Sequence, residues 1–204
     1  MSVNRYAAHY MFSPDGALVK WPVVSVRDNG YIESVECSDR GFVEKPSTRF
    51  FSGVLCPAFV DVYSTTATGD TSVDEFSLNR HFRDGTLFLG VSRNQSLESI
   101  PTRWPQLMHV PSADLISSEK NLLQGHGTLL ERMKSQEQGT LSFAESLYFA
   151  TARAASLIGI PTLGRLEEGC TPGLLLLQNI DLVNQIWMPR SSVKWLNVPE
   201  SLED

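Results

Sequence analysis

Phe50-Phe51-Ser52-Gly53-Val54-Leu55-Cys56-Pro57-Ala58-Phe59-Val60-Asp61-Val62-Tyr63 is the stretch on which the fold turns. Phe50 to Leu55 reads as one strand, running through Pro57 into a second apolar segment, Phe59 to Tyr63. Upstream of it the chain is strand-like throughout. Tyr6 to Phe12 is apolar-rich, and Pro14-Asp15-Gly16 supplies a turn. Val23, Val24 and Val26 then face Tyr31, Ile32 and Val35 across Arg27-Asp28-Asn29-Gly30. Asn-Gly between β-branched runs is the strongest short-range hairpin signal, because both residues tolerate φ > 0.

Downstream the pattern changes. Ser72-Val73-Asp74-Glu75 has capping-box spacing, and Val73, Phe76 and Phe82 fall roughly along one helical face as far as Gly85. Leu87 to Val91 is strand-sized and apolar. Residues 92–106 are polar and broken by Pro101 and Pro105, which predicts a loop, and Leu107 to Val110 predicts another short strand. Thr128 with Glu131 repeats the capping box ahead of Leu129, Leu130 and Met133, as does Ser142 with Glu145. Phe143, Leu147, Ala150, Ala154, Leu157 and Ile158 mark a helix that Gly159 and Pro161 stop. Strands return at Leu174–Leu177 and, after Pro189, at Val193 to Val198. The order predicts one β domain interrupted by an α/β insertion, with no internal repeat.

Composition narrows the function classes. The 204 residues are 42% hydrophobic and 20% charged, which excludes a disordered chain. Lys+Arg 17 against Asp+Glu 23 leaves a net charge of −6 and no basic stripe, so a nucleic-acid partner is not expected. Cys37, Cys56 and Cys170 are odd in number and far apart, which argues against a disulfide framework. No apolar run reaches transmembrane length, and Ser2, Asn4 and Arg5 do not open a signal peptide. The expectation is a soluble, reduced, cytoplasmic protein with no membrane partner.

Local chemistry nominates no active site. His9, His81, His109 and His126 are scattered, without His-x-His, HExxH or CxxC spacing. His109 and Asp114 are the only close pair near a predicted strand end, and a structural or surface role is expected for this histidine. Ser112 beside them invites a triad reading, but triads are made by geometry rather than proximity in sequence, and no GxSxG elbow exists. Gly125-His126-Gly127 lacks the spacing of a phosphate loop and reads as a lead into the helix that Thr128 caps. The four tryptophans, Trp21, Trp104, Trp187 and Trp195, are expected in the core or at interfaces.

Longer segments carry a resemblance. Pro57-Ala58-Phe59-Val60-Asp61-Val62-Tyr63-Ser64-Thr65 resembles the PGFVDxHxH strand that opens the barrel of the amidohydrolase superfamily. Ala150 to Ile160 is similar to its ATxNxAxxLG helix, and Leu163 to Leu174 to its LGSLEPGKxADL segment. The matching motif positions are Pro57, Asp61, Thr151, Gly159, Gly164 and Gly169. The start, from Tyr6 through the Asn29-Gly30 hairpin, looks like the family's N-terminal sandwich strands, and aminodeoxyfutalosine and S-adenosylhomocysteine deaminases look most similar. The resemblance implies an α+β fold. Residues 1–56 plus 164–204 would form a composite β-sandwich, and 57–163 an inserted, truncated α/β (TIM-barrel) remnant. A full eight-unit barrel needs roughly 250 residues, and about 105 separate Pro57 from Leu163, enough for about three units.

The departures bear on function. The family's two metal-binding histidines correspond to Tyr63 and Thr65, poor replacements for imidazole on zinc or iron. Pro111 to Ser117 resembles the family's GTDSLAS segment, but its aspartate falls on Ala113, with Asp114 one place late. The leading expectation is a non-catalytic, amidohydrolase-like binding or assembly module that has lost its metal site and needs no cofactor. One alternative is a metal-dependent hydrolase or deaminase of non-peptide carbon–nitrogen bonds, using zinc or iron with His109 and Asp114. Another is a small-molecule binding protein using the old barrel mouth. A remnant of three strands cannot close, which predicts a homodimer that covers its edges.

Overall fold

The computed structural model describes residues 2–38, 41–42, 45–63, 74–91, 106–109, 123–136 and 140–200. The fold is mixed α/β, with a core made mostly of sheet. Strands β1 (Val3–Phe12), β2 (Leu18–Lys20), β3 (Val23–Arg27), β4 (Ile32–Glu36) and β5 (Thr48–Pro57) come from the first part of the chain. They share one seven-stranded sheet with β9 (Leu174–Gln178) and β10 (Ser192–Asn197), in the order β10-β9-β5-β1-β3-β4, while β2 pairs with β1. β1 and β5 run parallel and the other pairs are antiparallel. The Asn29-Gly30 hairpin and the Leu174–Leu177 strand therefore belong to one sheet. They also touch through the chain that leads into and out of the C-terminal strands. Ile32 N–H donates to Cys170 O at 2.8 Å, and Gly169 N–H to Ile32 O at 3.0 Å. At Gly30 (φ +90°) a Cβ would lie 2.8 Å from Pro199 Cα, so the turn needs glycine for approach as well as for backbone sign.

Leu174 to Leu177 are all buried, where a half-exposed strand would alternate. Both faces of the sheet are covered. Leu175 and Leu177 join Val54, Cys56, Phe59 and Leu147 in one cluster. Leu174 and Leu176 join Leu55, Val24, Val26, Ile32 and Leu166 in another.

A second, three-stranded sheet is wholly parallel: β6 (Phe59–Asp61), β7 (Thr86–Val91) and β8 (Gln106–His109), in that order. Helix α1 (Glu75–Arg83) lies in the connection from β6 to β7, and α2 (Leu129–Ser135) follows β8 in the chain. Helix α3 starts at Phe143–Tyr148, passes through a π-wound stretch at Phe149–Arg153 and ends at Ala154–Leu157. Thr128 and Ser142 cap α2 and α3 in complete capping boxes with Glu131 and Glu145, as the spacing predicts. Thr151 Oγ donates to Leu147 O at 2.7 Å inside the π-wound turn. The 3-10 turn Pro161–Gly164 then folds back onto this stretch, and a Cβ at Gly164 would lie 2.5 Å from Ala152 Cα. Both motif positions thus have a packing reason.

Helix α1 departs from the sequence reading. Asp74 is its N-cap, accepting from Ser77 N–H at 2.7 Å, and Ser72 lies outside the described residues. Leu78 and His81 face inward and Phe76 is 79% exposed, so Phe76 is not on the buried face. The predicted loop over 92–106, with Trp104, also lies outside the described residues except for Gln106, which is in strand β8 rather than loop. Among the described residues no helix is long and apolar enough to cross a membrane.

Candidate functional site

In parallel α/β sheets, chemistry gathers beyond the carboxyl ends of the strands. Asp61 ends β6 and pairs in register with Leu89, and His109 ends β8 opposite Val91. The two therefore lie at the same end of the small sheet, with β7 between them. Thr65, Ser112, Ala113 and Asp114 fall outside the described residues, as does the side chain of His109.

Asp61 is fully buried, and both its oxygens are engaged. Oδ1 accepts from Tyr63 N–H at 3.1 Å. Oδ2 accepts from an Nη of Arg132, which is itself buried on α2. The guanidinium is held from its other side as well. Its second Nη donates to Leu123 O at 2.8 Å, and Nε to Thr128 O at 3.4 Å. His81 of α1 brings Nδ1 to 3.5 Å from Asp61 Oδ2, which is proximity rather than a hydrogen bond. Burial pushes the His81 pKa down, Asp61 pulls it up, and Arg132 adds to the lowering, so the ring is neutral near pH 7.

The same two helices are laced at their surfaces. Thr128 Oγ donates to Asp84 Oδ2 at 2.8 Å, and Arg80 pairs with Glu131. Burial opposes the Glu131 carboxylate, but the Thr128 N–H and Arg80 together hold its pKa below the ordinary value. Arg80, His81 and Asp84 follow i, i+1, i+4 spacing, and Thr128, Glu131 and Arg132 follow i, i+3, i+4. Each set therefore lies on one helical side.

Tyr63 is 1% exposed, two residues beyond β6. Burial drives its phenol well above the ordinary value, against the charge of Arg153 and aided by that of Asp61, and its hydroxyl has no hydrogen-bond partner among the described residues. The donors around Asp61 are therefore its own carboxylate, which already carries a guanidinium, and the neutral imidazole of His81. Zinc sites need three or four convergent ligands, more than these two residues supply. Among the described residues no group of three or more His, Cys, Asp and Glu converges elsewhere.

A cleft of about 510 Å³ lies apart from these residues, where the end of α2, the start of α3 and the 181–187 turn meet. Lys134, Glu145, Asn184 and Trp187 are among its lining residues. The indole Nε1 of Trp187 donates to Ser146 Oγ at 2.8 Å, and its ring packs on Phe143 with centroids 4.8 Å apart.

No protein-family model matches this chain, and no curated protein does. Solved structures that resemble part of it include a deacetylase, an amidohydrolase and an ochratoxinase. N-acetyl-D-glucosamine-6-phosphate deacetylase from Mycobacterium smegmatis is 16% identical, with 43% of this chain and 24% of that chain covered and a TM-score of 0.34. An amidohydrolase from Brucella melitensis is 15% identical, covering 42% of this chain and 25% of that one, at a TM-score of 0.31. The ochratoxinase of A. niger is 16% identical, covering 45% and 26%, also at 0.31. In each case the matched part spans about a quarter of the other chain's length.

Proposed function

We propose that this chain is a non-catalytic, amidohydrolase-like protein that serves as a binding or assembly module. In this reading residues 1–56 and 164–204 make a composite β-sandwich, and 57–163 are the truncated barrel remnant. The observation that carries it is Tyr63. Where the resembling family places a metal-binding histidine, this chain has a buried phenol whose proton is held by its surroundings. A phenol is a poor replacement for imidazole on zinc or iron.

One observation favours the metal-dependent hydrolase instead: His109 ends β8 at the same sheet end as Asp61. Metal analysis of protein purified without chelators separates the two readings. The expected result is far less than one equivalent of zinc or iron. A value near one, lost in His109→Ala or Asp114→Asn, overturns the non-catalytic reading.

A further inference from the structure

Arg132 is an arginine on a short helix, buried to within 5% of full exclusion from solvent. A buried cation needs a counter-charge and hydrogen bonds for its remaining donors. Asp61 supplies the first, and the carbonyls of Leu123 and Thr128 supply the second. Thr128 is itself fixed by Asp84.

We propose that the Arg132 guanidinium is the resident cation of the Asp61 site, filling the free edge of that carboxylate and clamping β6 to α2. The inference rests on the non-catalytic reading and gives the site a positive role, that of a planar-cation hole filled by the chain's own side chain. The neutral state of His81 agrees with it, since a second cation 3.5 Å from the same oxygen would compete with Arg132. Cutting the side chain back to Cβ would leave a cavity walled by one carboxylate and two carbonyls, complementary to a free guanidinium ion.

The experiment is chemical rescue. Arg132→Ala should melt about 10 °C below the unmodified protein, the expected scale for a broken buried pair in a chain of this size. Millimolar guanidinium or methylguanidinium chloride should restore part of that loss, whereas equal sodium chloride or zinc chloride should not. Asp61→Leu/Arg132→Met, which removes both charges, should melt close to the unmodified protein and ignore guanidinium. This double variant serves if Arg132→Ala does not fold. A single variant melting within about 2 °C of the parent overturns the proposal. So does rescue by zinc, equal rescue by sodium, or a double variant no more stable than Arg132→Ala. Zinc in the unmodified protein is read separately, by metal analysis, and bears on the non-catalytic reading.

Discussion

Replacing Leu176 by aspartate tests the two-sided burial of β9 directly. The side chain has no exposed surface and sits with Leu55, Val24 and Ile32 on the face away from the helices. Losing the leucine side chain alone costs about 3 kcal/mol. A carboxyl group there must be neutralised. If its pKa rises by about four units, protonation at pH 7 costs a further ~4 kcal/mol. The sum, about 7 kcal/mol, is comparable to the whole stability of an ordinary domain. Because the folded pKa is raised above the unfolded one, the native state binds the proton and stability falls as pH rises. Moving from pH 7 to pH 5 should return about 2.7 kcal/mol. Urea unfolding followed by far-UV circular dichroism at both pH values measures this, with Leu176→Ala as the control for size. A Leu176→Asp protein within about 1 kcal/mol of that control at pH 7, with no pH-dependent difference, would refute the packing argument.

Thr128→Ala should cost about 2 kcal/mol against about 1 for Ser142→Ala. Both lose an N-cap and a hydroxyl donor to a carboxylate, but Thr128 serves the part-buried Asp84 of the neighbouring helix whereas Ser142 serves the exposed Glu145 of its own cap, and equal losses in urea melts would count against that link. The His81 pKa is depressed in the folded state from an ordinary 6.5, so its contribution is present above that value and is lost as pH falls through and below it. His81→Phe should therefore flatten the melting temperature between pH 7 and pH 5, and an unchanged slope would show that the ring titrates freely. Light scattering at micromolar concentration should report about twice the 22.7 kDa chain mass if the edges of the small sheet are covered by a second copy. Because Phe88 and Leu89 are buried within one chain, charged substitutions there should unfold the protein rather than yield a stable monomer.

What the sequence discloses depends on how local the physics is. The Asn29-Gly30 turn and the capping boxes at Thr128 and Ser142 are decided within four residues, and they stand where their spacing puts them. The cap of α1 at Asp74 is also local, but which face is buried is decided by packing, and that puts Leu78 and His81 inward and Phe76 outward. The candidate site is a different matter. Asp61 and Arg132 are far apart in the chain, and an arginine between Glu131 and Met133 on a short helix reads as a solvated residue. The usable signal is the pair of polar triplets at helical spacing on α1 and α2. They mark two charged faces that satisfy each other only once the helices pack.

The place of β9 between β5 and β10 also sets a timetable for the newborn chain. β5 pairs with β1 early, but acquires its second partner only when residues about 120 positions later have been made, since Val54 pairs with Leu177. At ribosomal speeds that delay is on the order of 10 s, much longer than a hairpin takes to form. Throughout it, the outer edge of β5 would stand unpaired beside Val54, Leu55 and Cys56. Such an edge is a template for other nascent chains. Yield in the cell should therefore depend on translation rate and on chaperone supply more steeply than the finished protein's stability suggests.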